Sequence, residues 1–182
     1  MSEVIDVSGE PGNFQVKIKK HPRYVDMDKC IACGLCAQKC PKKVDDEFNY
    51  GLSKRKAIYI KYGQSVPLKY AIDPENCIYL TRGKCRACEK FCPTGAINFE
   101  DKEEVITLNV GAIICAPGFK PFDPSSLDSF AYREIPDVVT SLEYERLLSA
   151  GGPYMGHLVR PSDEKEPQKN RLDSMCWFQG YQ

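Results

Sequence analysis

Eight cysteines in two blocks constrain this chain more than any other feature. The first block runs Cys30-x2-Cys33-x2-Cys36-x3-Cys40-Pro41 and the second Cys77-x7-Cys85-x2-Cys88-x3-Cys92-Pro93. Closely spaced thiols on a tight loop can curl round one face of an inorganic centre. A four-iron cube also needs a fourth thiolate from a distant point. Gly34, which has no β-carbon, lets the first loop turn closely. The proline after each last cysteine ends the ligand turn and directs the chain away. A chain of this kind folds round metal, and metal binding is coupled to its folding.

The first block has the spacing of the bacterial ferredoxin run, whose fourth cysteine ligates the other cluster when two are present. The expected centres are therefore two 4Fe-4S clusters with crosswise ligands. Cluster one takes Cys30, Cys33, Cys36 and Cys92, and cluster two takes Cys77, Cys85, Cys88 and Cys40. The wider first gap of the second block, Ile78 to Lys84, is expected to loop out so that Cys77 still reaches its iron. Ile31, Leu35, Ile78, Phe91 and Ile97 are the expected packing around the clusters. Zinc is the competing ligand, since Cys-x2-Cys pairs also serve zinc ribbons. A ribbon needs neither the third evenly placed cysteine nor the Cys-Pro ending.

Ten cysteines in 182 residues suit a secreted disulfide scaffold or a reduced metalloprotein, and the regular spacing favours the second. The N-terminus lacks the layout of a secretory signal, and no apolar run approaches the roughly 18 residues of a membrane span. A cytoplasmic, low-oxygen setting is expected. Net charge is zero, so no bulk field argues for nucleic acid or a membrane surface. Cys115 lies in an apolar run and is expected to be a buried, inert thiol. His21 and His157 are expected at the surface. The Lys54-Arg55-Lys56 run is either a docking patch or a solvated charged face. No phosphate-binding loop and no Ser/His/Asp set can be assembled, so no catalytic residue is expected.

The two blocks belong to an internal repeat. Tyr24-Val25-Asp26 before Cys30 echoes Ala71-Ile72-Asp73 before Cys77. The second block ends in Gly95-Ala96-Ile97, whereas Cys40-Pro41-Lys42-Lys43-Val44 offers no match. Alternating apolar residues predict a hairpin, Val4 to Val7 and Phe14 to Ile18, around a turn at 8–13. Ala57 to Ile60, Val105 to Leu108 and Gly111 to Cys115 read as further strands. Thr140 and Glu143 form a capping box for a helix through Leu147 and Leu148, which Gly151-Gly152-Pro153 stops.

The chain resembles the iron–sulfur flavoprotein subunit of heterodisulfide reductases along nearly its whole length. The likeness rests on GEPGNFQVKIKKHPRYVD before the first block and FNYGLSKRKAIYIKYGQSVPLKYAID between the blocks. It rests also on VGAIICAPGFKPFDP, Val139-Thr140-Ser141-Leu142-Glu143 and GHLVRPSDEKEP after them. In that family the ferredoxin domain interrupts an FAD domain of thioredoxin-reductase type. The resemblance implies an α+β fold, a two-cluster ferredoxin-like domain over 21–104 flanked by β-rich pieces of an incomplete FAD domain. Residues 1–20 would be its hairpin edge and 105–169 its partial strands and helix. It also implies electron transfer between a flavin and partner subunits of an oxidoreductase complex, among them hydrogenase or formate dehydrogenase subunits. A free-standing ferredoxin is the alternative, and a zinc-binding interaction module a more distant one.

Ala116-Pro117-Gly118 stands where such flavoproteins usually carry Ala-Thr-Gly, and the dinucleotide fingerprint is missing. The chain is therefore expected to lack a complete active site and not to retain FAD alone; no FAD-binding residue is assigned. The family's continuation after Lys169 reads roughly Lys-Ile-Ala-x-Ile-Gln-Cys-Val-Gly-Ser-Arg-Asp. With permitted codon choices, the stretch from Lys169 to Gln182 reads as that continuation when the frame moves forward by one base. A frameshift near Lys169 is the expectation, with Cys176 and Trp177 out of frame.

Overall fold

In the computed structural model, residues 1–169 are described. They fall into two units, one of residues 1–44 with 54–117, the other of 45–53 with the chain from 118 on. The tail at 170–182, including Cys176, lies outside the described residues.

The first unit begins with the hairpin. β1 (Ser2–Glu10) pairs antiparallel with β2 (Asn13–Lys20). The turn is tighter than the sequence suggests. Only Pro11 and Gly12 lie between the strands, with Gly12 at φ +91, a conformation that suits Pro-Gly. β7 (Glu104–Val110) closes a three-stranded sheet against β2, with Phe14, Val16 and Ile18 opposite Val110, Leu108 and Ile106. These apolar residues alternate with lysines on β2, so one face of the sheet is apolar.

The rest of the unit is built twice. Val25 bridges antiparallel to Ile97, and β5 (Ile58–Tyr59) pairs antiparallel with β6 (Ala71–Ile72). Three short helices carry cysteines or follow them: α1 (Leu35–Lys39), α2 (Ile78–Arg82) and α3 (Ala87–Lys90). α1 packs on α3. Between Cys40 and β5 the chain makes a ribbon of β3 (Lys43–Asp45) and β4 (Lys54–Lys56).

This excursion corrects the repeat as read from sequence. The first block does have a counterpart to Ala96-Ile97, namely Ala57-Ile58, displaced by the ribbon. The Ala96 carbonyl accepts from the Asp26 N–H at 2.7 Å, and the Ala57 carbonyl accepts from the Asp73 N–H at 2.8 Å. The core consists of Val25, Ile58, Ile72, Ala96 and Phe99 with four of the cysteines, Cys30, Cys36, Cys77 and Cys88. Of the residues expected around the clusters, Ile97 packs against this core and Ile31 and Ile78 border the thiol pockets, but Ile31, Leu35 and Phe91 are exposed, at 64%, 38% and 50%. In each loop the first and third cysteines are buried, whereas Cys33 and Cys85 are exposed.

The predicted strand over 111–115 is absent among the described residues, and Cys115 is exposed rather than buried. No neighbouring strand supplies it with a ladder of hydrogen bonds, so its apolar residues have no sheet to sit in.

The second unit holds α4 (Ser141–Leu148). Its capping box is formed in both directions: the Glu143 N–H donates to Thr140 Oγ1 at 3.3 Å, and the Thr140 N–H donates to Glu143 Oε2 at 2.6 Å. Leu147 is buried, and Arg146 reaches Asn49 Oδ1 at 3.0 Å and stacks over Phe48 at 4.4 Å.

Candidate metal centres

Each cysteine block starts from an aspartate that fixes its first thiol. Asp26 Oδ1 accepts from the N–H groups of Asp28 and Lys29, and Asp73 Oδ1 from those of Glu75 and Asn76. Four residues on, the Cys30 N–H donates to the Asp26 carbonyl at 3.0 Å and the Cys77 N–H to the Asp73 carbonyl at 2.9 Å. Side-chain oxygens of this kind hold a turn in place of backbone partners. Sequence reasoning did not mark these aspartates as functional, although the Val-Asp and Ile-Asp echo is their signal.

The two turns differ in one respect. Asp73 is buried and pairs with Arg55 at 2.9 Å, each side chain about 10% exposed. Arg55 also stacks over Tyr59, 4.0 Å from its ring centre. Burial works to raise the Asp73 pKa, but the hydrogen bonds from Arg55 and Asn76 outweigh it and hold the carboxyl below the usual range. Arg55 is therefore a buried structural partner and not part of a docking patch or solvated face, whereas Lys54 in the same run is exposed.

The start of a helix places the middle thiols. Gly34 precedes α1 in the left-handed region at φ +85, and Arg86 takes the same region at φ +57 before α3. The second block thus repeats the first block's backbone without its glycine. Arg86 is held there by Glu89 at 2.7 Å and lies over the rings of Tyr79 and Phe99. The wide gap of the second block does not loop out. It folds as α2 directly after Cys77, with Gly83 closing the helix in the left-handed region.

The thiols surround two cavities. Cys30, Cys33, Cys36 and Cys92 line one, with Val25, Tyr70 and Ala96 on its walls. Cys40, Cys77, Cys85 and Cys88 line the other, with Ala57, Ile58, Ile72 and Tyr79. Each cavity receives three thiols from one block and one from the other. Among the described residues, no three side chains of metal-binding type gather tightly enough for a single ion. The donor set around each cavity is all thiol, and the remaining wall is largely apolar, which fits an iron–sulfur cube.

The electrostatics of the thiols reflect that crowding. Burial, followed by the neighbouring Cys77, pushes Cys88 up to about 12. Burial also pushes Cys36 up to about 11, with Cys30, Cys33 and Cys92 adding to the rise. At Cys92 burial acts in the same sense but is outweighed by hydrogen bonds from Ala96 and Thr94, so its pKa is lowered. The Ala96 N–H lies 3.3 Å from Cys92 Sγ. Thiolates packed this closely repel one another, and these eight cysteines would lose that penalty, with their protons, on binding iron.

Two lysines reach the cysteine backbone. Lys56 Nζ donates to the Cys40 carbonyl at 2.6 Å, and Lys69 Nζ donates to the Cys30 carbonyl. Neither position carries a sequence signal, because both contacts join residues far apart in the chain.

The 4Fe-4S binding domain family matches residues 23–44, and a second 4Fe-4S binding domain family matches 74–95. Over 168 residues the chain is 47% identical to a CoB–CoM heterodisulfide reductase iron–sulfur subunit of Methanocaldococcus jannaschii. It is 48% identical over the same length to the corresponding protein of Methanopyrus kandleri. Each of these alignments covers 92% of this chain and 25% of the relative. A third relative, from a ferredoxin:CoB–CoM heterodisulfide reductase of Methanosarcina acetivorans, is 42% identical over 96% of the chain and 22% of its own length. Over nearly its whole length the chain is similar to one part of these heterodisulfide reductase subunits. It spans about a quarter of the length of these relatives. With two 4Fe-4S binding domains it carries two 4Fe-4S clusters and is an iron–sulfur electron-transfer module. No helix among the described residues is long and apolar enough to cross a membrane.

Proposed function

We propose that this segment relays single electrons through its two clusters, between a flavin and partner subunits of a heterodisulfide-reductase-like complex. One cluster is held by Cys30, Cys33, Cys36 and Cys92, the other by Cys40, Cys77, Cys85 and Cys88. The observation that carries this reading is the pair of cavities, each ringed by four thiols. Because each block contributes to both, the two centres are tied to one another through the packed helices α1 and α3. A relay needs fixed spacing, an environment that sets potential and little else.

The sheet of β1, β2 and β7, together with the chain through Ala116-Pro117-Gly118, is the edge of an FAD domain in this reading. Partner subunits of hydrogenase or formate dehydrogenase type, and a cytoplasmic location, belong to the same proposal. The name of one relative supports a partner that supplies or takes electrons, since ferredoxin appears in it.

Single Cys→Ser variants test the ligand sets. Prepared anaerobically and followed by electron paramagnetic resonance during reduction, Cys40→Ser and Cys85→Ser are expected to perturb one signal. Cys33→Ser and Cys92→Ser are expected to perturb the other. If Cys40→Ser instead affects the signal that Cys33→Ser affects, the crosswise ligand sets are wrong.

A further inference from the structure

We propose that Lys69 and Lys56 set the reduction potentials of the two clusters. Lys69 acts on the centre of Cys30, Cys33, Cys36 and Cys92, and Lys56 on that of Cys40, Cys77, Cys85 and Cys88. The inference rests on those ligand sets.

The two lysines stand in equivalent relation to the two cavities. Lys56 precedes Ala57, which lines one cavity, and Lys69 precedes Tyr70, which lines the other. Each ammonium donates to the backbone carbonyl of a cysteine at that same cavity, Cys40 for Lys56 and Cys30 for Lys69. Both contacts are partly buried, so water screens them less than it would a surface charge.

Unlike the two arginines nearby, these two cations keep a charge that no carboxylate cancels, and unlike Lys42, which also lines the second cavity, each is anchored to a cysteine carbonyl. Arg86 also lines the second cavity, but Glu89 neutralises it at 2.7 Å, and Asp73 neutralises Arg55 at 2.9 Å. Neither Lys56 nor Lys69 has a carboxylate partner among the described residues. Reduction adds one electron, and so one negative charge, to a cluster. A fixed positive charge nearby stabilises the reduced form over the oxidised one. Removing either charge lowers the potential of its own cluster and leaves the other nearly unchanged.

The test is a reductive titration of the full chain with both clusters loaded, followed by electron paramagnetic resonance, on Lys69→Met and Lys56→Met. At a fixed potential, the reduced-to-oxidised ratio of one signal should fall about tenfold in each variant, or about 59 mV for a one-electron couple. The affected signal should differ between the two variants. Lys→Gln variants keep a hydrogen-bond donor and lose the charge, so they should shift as the Met variants do, and they serve if a Met variant does not hold its clusters. Lys→Arg variants keep the charge and should restore the parent potential. Unmoved potentials, the same signal shifted by both variants, or Arg variants that shift as far as Met overturn the inference. Iron and sulfide content of the parent chain tests the ligand sets separately: fewer than two clusters there overturns them, and the inference with them.

Discussion

Replacing Asp73 by alanine should destabilise the protein by about 3 kcal/mol, and its repeat counterpart Asp26 should show why. Both aspartates cap the turn before the first cysteine of a block, with matching hydrogen bonds from the two residues that follow. Only Asp73 is also the partner of a buried arginine. Removing one member of a buried ion pair costs about 3–5 kcal/mol, because the other is left charged and unmatched. The low end applies here, since Arg55 keeps its stacking on Tyr59 and its bond to the Lys56 carbonyl at 3.3 Å. Asp26 carries only an exposed contact to Lys29 at 3.6 Å, so Asp26→Ala should cost much less. The measurement is anaerobic denaturant unfolding of the loaded protein at about pH 7.5, read by cluster absorbance and circular dichroism. That pH is on the plateau for this group. The folded-state carboxyl is depressed, so its contribution is present above the ordinary value of 3.8 and is lost as pH falls through the folded value. The double variant Arg55→Met/Asp73→Ala should recover much of the loss, since it leaves no orphan charge. Equal losses at Asp26 and Asp73, or no recovery in the double variant, would refute the reasoning.

Two further outcomes concern the second unit. Thr140→Ala removes the hydroxyl that accepts from the Glu143 N–H, and should cost about 1 kcal/mol in thermal or denaturant unfolding of the unit that holds α4. Tyr132→Phe should flatten the loss of stability at alkaline pH. Burial and then its hydrogen bond to Glu143 at 2.7 Å raise the Tyr132 pKa above 10.0. Its contribution is therefore full below pH 10 and is lost as pH rises through the folded value, a slope that a pH series on the variant should lack.

How much could be read in advance depended on how local each feature is. The capping box at Thr140 lies within one turn of helix, and the structure forms it as the sequence predicts. The hairpin and its alternation were legible for the same reason, although the turn proved tighter. Ala57-Ile58 was missed as the match to Ala96-Ile97 because the ribbon of β3 and β4 separates it from its cysteine block. Cys115 was expected to be buried on the strength of its apolar neighbours. Without a strand beside it, that run stays exposed. The 54–56 run read as surface charge, and only the position of Asp73 turned Arg55 into a buried partner.

The sequence by itself determined the chemistry of the centres. Cysteine number, spacing and the Cys-Pro endings are covalent facts, and they specify iron–sulfur clusters whatever the surrounding chain does. Tertiary structure alone decided which charges act on those centres. Lys56 reaches Cys40 and Lys69 reaches Cys30 across chain separations that no local pattern encodes. Burial then decides their weight, because the same ammonium group counts for less in water than where it is partly buried.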